Sequence, residues 1–426
     1  ASEVGAVWPS FRFSFQSRDS WFARTTITYD LPASWEHEVI FDERNTPGPR
    51  VQKAGDRVRF TYLRERMPQL GPDDLAAPED NWVPNVIMTR KFDQGSQRRN
   101  YERWMWYSTA MPERVLARAI ATVPSISDEA ALRKVFRMVN MTVVSERSNA
   151  SPGGLAALIR GRGDREAALR SILRARQVPV HHALVRTSQV DPVPRKNFDP
   201  GNWDQDALIA TVGGKDYWLA VNGDHATFDY LDESHQGQPA MVILDPARSE
   251  ATTPVWPLDT IENRISTTIE LQADGSAVVH VVESIAIEDA PAYRSYVAEV
   301  PNVADRIHNL ERRLARSFPG ATVSSLTSTG MDDDDAPLAL QYTFSSTGLV
   351  RIEGSKASFD GTLFSRAIEA SYATDAHRTA PMRVDTFLAE KVDVDWHAPA
   401  GWTLDSALPE ASTDCGTMTL TVHGAN

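Results

Sequence analysis

Gly163-Asp-Arg-Glu-Ala-Ala-Leu-Arg-Ser-Ile-Leu173 is the stretch on which the fold turns. Asp164 has the chemistry of a helix N-cap, a short carboxylate that accepts from free amides of the first turn. That makes Arg165 about the first helical residue. Ala168, Leu169, Ile172 and Leu173 recur at the spacing of one helix face, and the pattern stops at Gln177 before Pro179.

Working upstream, Leu155, Leu158 and Ile159 predict a short helical turn between Pro152-Gly-Gly154 and Gly161-Arg-Gly163. Ser125-x-x-Asp128 then precedes Leu132, Val135, Phe136 and Val139, which predicts a capping box and an amphipathic helix. Val115–Ile120 predicts one more. Downstream come three short strand-like runs, Val180–Thr187, Ala207–Val212 and Tyr217–Val221, with Gly213-Gly214 as a hairpin turn between the last two. His181 and His182 lie in the first run. Successive strand residues face opposite ways, so one histidine is expected in the core and one outside. Helices followed by an antiparallel sheet describe an α+β domain.

Both flanks read as β. Phe11, Phe13 and Phe15 alternate with polar residues, and Thr25–Tyr29, Glu38–Phe41 and Arg57–Tyr62 are rich in β-branched and aromatic side chains. Pro68, Gly71-Pro72, Pro78 and Pro84 predict a long loop, and Trp82, Trp104 and Trp106 read as a structural seam. Toward the C-terminus, Ser266–Leu271, Asp274-Gly275 and Ala277–Val282 predict a hairpin. Val303–Phe318 predicts one helix with Ile307, Leu310, Leu314 and Phe318 on one face. Strands resume at Ala321–Leu326, Leu338–Phe344 and Lys391–Trp396. The expected organisation is an N-terminal β domain over 1–108, an α+β domain over 109–262 and a C-terminal β domain over 263–426. A length of 426 residues suits three such cores.

Composition narrows the function. The net charge is −13, from 44 basic and 57 acidic residues, which disfavours nucleic acid and anionic membrane as partners. No apolar run reaches the roughly 20 residues of a transmembrane helix. The chain opens at Ala1 with no initiator methionine and no signal peptide, as a mature exported form or an excised segment would. A single cysteine, Cys415, excludes an internal disulfide framework and a cysteine-based zinc site.

The order of parts resembles a family of bacterial, usually exported, transglutaminase-like proteins of the papain-like class, with flanking β-sandwich domains. The resemblance rests on Leu155-x-x-Leu158 leading into Gly163-Asp164 and on Ala168–Leu173 followed by Val178-Pro-Val180. It continues through Ala207–Ala210, Trp218-Leu219, Arg378-x-x-Pro381, Trp396-x-x-Pro399-x-Gly401-Trp402 and Leu408-Pro409. It implies a cysteine nucleophile after Gly-Asp, where a helix dipole lowers the thiol pKa. It also implies a histidine base just before an apolar strand and an aspartate after Trp-Leu. In this chain those three slots hold Arg165, Asp206 and Ala220. A guanidinium stays protonated and is no nucleophile. Positions 206 and 220 share a sheet face as diagonal neighbours if the turn has three residues and lie on opposite faces if it has two.

The expected function is therefore that of a non-catalytic transglutaminase-like protein. It would bind a peptide, glycan or protein partner, with no cofactor, in a former cleft lined by Arg165, Trp203 and Asp206, where Arg165 and Asp206 would pair. The resemblance implies a periplasmic or extracellular location. One alternative is a hydrolase with displaced chemistry, in which His225, Asp229, Asp232 and His235 gather a metal in the 224–235 loop, or Asp204 and Asp206 act as paired carboxylates. A purely structural component of a cell-surface or periplasmic assembly is another. Asp332–Asp335 reads as a solvated turn, because it lacks the spaced ligands and glycine of an EF-hand.

Overall fold

The structure is a computed structural model. It describes residues 11–17, 20–70, 82–90, 120–121, 123–145, 155–187, 203–221, 223–243, 250–359, 363–364, 390–403, 411–413 and 416–418. Residues 115–119 of the first expected helix, Cys415, Trp104, Trp106, Arg378, Pro381 and Leu408-Pro409 lie outside these. The described residues fall into two compact units. One takes those of Ala1–Ala220 and Leu231–Val255, the other those of Val221–Tyr230, Trp256–Ile368 and Leu388–Asn426.

The first unit opens with six strands: β1 (Phe11–Ser14), β2 (Phe22–Pro32), β3 (Val39–Arg44), β4 (Arg50–Ala54), β5 (Arg57–Met67) and β6 (Asn85–Arg90). They form two three-stranded antiparallel sheets, β1-β6-β3 and β2-β5-β4. Tyr29, Leu31, Val58, Phe60 and Tyr62 from one sheet share a core with Phe15, Val39, Val86 and Met88 from the other. The expected alternation of apolar and polar residues thus builds two sheets packed face to face.

Helix α1 (Glu129–Thr142) follows. Its N-cap is Asp128, whose carboxylate accepts from the Ala131 amide at 2.9 Å, so the helix starts three residues later than a Ser125 cap would place it. Asp128 captures the amide itself and so stands outside the helix rather than at its third position. Next come the short strand β7 (Val144–Ser145), α2 (Leu155–Arg160), β8 (Arg162–Gly163) and α3 (Arg165–Ala175), with β7 and β8 paired in parallel. Asp164 caps α3 as expected, accepting from Ala167 N at 2.9 Å. Helix α3 touches α1, α2 and the sheet behind it, and Leu169, Ile172 and Leu173 have no exposed surface. Each such side chain contributes roughly 1.5–3 kcal/mol of burial free energy.

That sheet is antiparallel, with β9 (Val180–Arg186) at its centre, flanked by β10 (Trp203–Val212), β11 (Lys215–Leu219), β12 (Pro239–Ile243) and β13 (Glu250–Thr252) in the order β11-β10-β9-β12-β13. Gly213 and Gly214 have φ of 61° and 82°, and Val212 pairs with Lys215, so the hairpin turn has two residues. Both φ values are positive, as a type I′ turn requires.

The second unit is built on β14 (Asn263–Leu271), β15 (Ala277–Ile285), β16 (Thr322–Thr329), β17 (Leu338–Ser346) and β18 (Glu390–His397), in the order β16-β17-β15-β14-β18, with β14 and β18 parallel. Alternate residues Ile265, Ile269, Val279, Val281, Tyr342 and Phe344 face a core closed by Leu310, Leu314 and Phe318. Leu310 and Leu314 belong to α5 (Val303–Leu314), and a second helix, α4 (Ala290–Glu299), precedes it. The chain is therefore α+β and rich in strand, as its sequence pattern predicts.

Candidate functional site

The candidate site forms where α3 meets β9 and β10, and each element places its residue for a local reason. Pairing of β7 with β8 brings Val143, the C-cap of α1, beside the start of α3. Arg165 turns to it: Nε donates to the Val143 carbonyl at 2.5 Å, and the residue is 4% exposed. The dipole of α3 opposes a cation at this position. The cation instead lies at the C-terminal end of α1, where a helix dipole favours it. Arg165 is thereby an internal brace between two helices and leaves little surface for a ligand.

Glu166, next in the first turn, reaches the sheet. His182 Nδ1 lies 2.5 Å from Glu166 Oε1, and His182 Nε2 lies 3.0 Å from Asp206 Oδ1. The strand register explains the second contact. Leu208 pairs with His182 and Asp206 with Leu184, so His182 and Asp206 are diagonal neighbours on one face. His182 is buried, Glu166 is mostly so, and the Asp206 side chain is 57% exposed. His181 is half-buried, so the two histidines divide between the faces as expected.

The ion pair expected between Arg165 and Asp206 does not form. Asp206 is taken by His182, and Arg165 by a backbone carbonyl. Ala220 also stands apart. With Val212 paired to Lys215 and Leu208 to Leu219, position 220 falls beside Ala207, on the face opposite Asp206. The two-residue turn decides this, and Ala220 is buried on its own side. Trp203 does join Asp206: it packs on Leu184, Met241 and Ile243, which border the same face. A bulge between Trp203 and Gln205 breaks the alternation on which pairing of positions 204 and 206 relied.

Charge in the cluster is tightly coupled. Burial pulls His182 down, but the Glu166 and Asp206 carboxylates overcome it and push its pKa up to about 9. Burial also raises Glu166. Both shifts mean that the proton between Nδ1 and Oε1 is hard to remove. A histidine held so is a poor general base near neutral pH.

Each histidine of the alternative metal set takes a carboxylate partner within its own unit. His225 Nδ1 binds Asp334 Oδ1 at 2.8 Å, whereas His235 Nδ1 binds Asp232 Oδ1 at 2.5 Å. Asp229 has a left-handed backbone, φ 52°. Among the described residues, the three ligand-bearing side chains that do converge are Glu166, His182 and Asp206, with donor atoms within 4.8 Å of one another. Sequence reading missed Glu166 and His182 as partners of Asp206. The available signal was the acid in the first turn of a capped helix, together with the rule that one of His181 and His182 faces inward.

No protein-family model matches the sequence, and no curated protein is similar to it. Two solved structures show a distant likeness. One is described as a "putative protease" from Parabacteroides distasonis, 9% identical, with a TM-score of 0.44, over 80% of this chain and 70% of that one. The other is described as a "putative cysteine protease" from Cytophaga hutchinsonii, 10% identical, with a TM-score of 0.16, over 47% of this chain and 65% of that one. Both likenesses are too distant to carry chemistry to this chain. Among the described residues, no helix is long and apolar enough to cross a membrane.

Proposed function

We propose that this protein works by binding, as a catalytically silent relative of transglutaminase-like enzymes. The observation that carries the reading is Arg165, a buried guanidinium braced against Val143 at the helix start where a nucleophilic thiol would be needed. Its neighbour His182 is clamped between two carboxylates rather than free to take a proton. The surface left for a peptide, glycan or protein partner is the exposed Asp206 carboxylate beside half-buried Trp203. A periplasmic or cell-surface setting fits the family resemblance.

The test is chemical. Purified full chain is incubated with glutamine-containing peptides, with and without a primary amine, and ammonia release is followed. We expect no turnover above buffer. Ammonia release above buffer would overturn the reading, and Cys415→Ser would then tell whether the single thiol or another group is the nucleophile.

A further inference from the structure

His182 has one feature that the ion cluster leaves unexplained. Its Nδ1 lies 2.5 Å from a Glu166 carboxyl oxygen, and with Glu166 ionised that nitrogen carries the shared proton and donates it. Its Nε2 is buried and makes no aligned hydrogen bond, although Asp206 Oδ1 is only 3.0 Å away. The two atoms are close, but the carboxylate is off the line of a ring N–H. A buried polar atom without an aligned partner is uncommon.

The separation is also one that a metal ion can bridge. Zinc binds imidazole nitrogen and carboxylate oxygen at about 2.0–2.2 Å, which puts two such donors roughly 2.9–3.4 Å apart at ordinary coordination angles. The Nε2–Oδ1 separation of 3.0 Å falls in that interval. Metal-bound histidines also usually donate their other ring N–H to a carboxylate, which fixes the tautomer and the ring plane. Glu166 does this for His182.

We propose that His182 Nε2 and Asp206 Oδ1 bind a divalent transition-metal ion, with Glu166 as the residue that positions the imidazole. A mixed nitrogen and oxygen donor pair suits Zn2+ or Co2+ better than Ca2+ or Mg2+, which prefer all-oxygen shells. The ion takes the place of a proton on Nε2, between the same two side chains. Asp206 is largely exposed, so an ion held there is approached from its side, and water or a donor group of a bound molecule would complete the shell. The proposal goes beyond the binding reading and stands apart from it, since it concerns the chain and a metal ion alone.

Equilibrium dialysis of the metal-free full chain against Zn2+ tests it, with Co2+ visible absorption as a second readout. One saturable equivalent is expected, weakened at least tenfold in Asp206→Asn and about 10–100-fold in Glu166→Gln. Loss of the Co2+ band is expected in His182→Ala. Asp206 is exposed, so Asp206→Asn keeps the fold, which circular dichroism checks, and this variant decides even if the buried ones fail to fold. Absence of a saturable equivalent overturns the proposal. So does Asp206→Asn with unchanged affinity, which would place the zinc on another histidine such as His225 or His397. Neither result bears on amide turnover, which tests the binding reading separately.

Discussion

The 2.5 Å contact from His182 Nδ1 to Glu166 Oε1 fastens the first turn of α3 to the central strand of its sheet. The Arg165 brace to Val143, one residue earlier in the same turn, fastens it to the end of α1. Two consecutive residues thus hold the helix start from two directions.

The histidine contact makes stability depend on pH in a stated direction. His182 is raised from its ordinary value to about 9 in the folded chain. Its contribution is fully present below about pH 6.5, the unfolded value, and is lost as pH rises through about 9. In the metal-free protein, Tm should therefore fall between pH 7 and 9.5 more steeply for the wild type than for His182→Gln. Parallel slopes in the two proteins would show that His182 is not protonated in the fold.

Arg165→Ala removes the donor to Val143 and leaves that carbonyl buried. The expected cost is about 1–3 kcal/mol, seen as a lower midpoint in denaturant with an unchanged slope. If Arg165 were instead a solvent-facing ligand residue, the midpoint would move by less than about 0.5 kcal/mol.

The two-residue turn is testable at its glycines. Gly213 and Gly214 both have positive φ, and an added Cβ would meet nothing within 4 Å at either. Alanine there costs only what the backbone conformation demands, about 1 kcal/mol at each position. Neutral substitutions would mean a looser turn and would reopen the question of which face Ala220 takes.

Periodicity made the elements legible, and the site was illegible for the reason that its contacts are not periodic. Leu132, Val135, Phe136 and Val139 are buried along α1 as their spacing predicts. Ile265, Ile269, Val279 and Val281 alternate into the second core likewise. Asp206, however, meets a histidine 24 positions earlier through a diagonal across β9 and β10, and that histidine meets an acid on α3. Such a triad depends on the register of β10 against β9, which no hairpin sequence sets, whereas the Gly213-Gly214 turn sets only that of β10 against β11. The pairing of β14 with β18 was equally out of reach, because those parallel strands lie more than 100 residues apart in the chain and no local pattern joins them.

The acidic run at Asp332–Asp335 shows how a cation can be supplied from within. Arg294 on α4 is 2% exposed, and its guanidinium donates to the backbone carbonyls of Gly330, Asp333, Asp334 and Ala336. The Asp334 carboxylate lies 3.8 Å from its Nε and also takes His225. The turn closes on a guanidinium and so needs no calcium, which fits its lack of a calcium-loop pattern. Arg294→Ala should cost about 3 kcal/mol or more, because several part-buried carbonyls and a carboxylate lose their donor together. Amide exchange over 330–336 should quicken well beyond that of β17, and added Ca2+ should leave the wild-type Tm unchanged. Unaltered exchange in the variant would mean that the turn is held by its own backbone, as by the Asp335 amide on Asp333 Oδ1 at 3.0 Å, and not by Arg294.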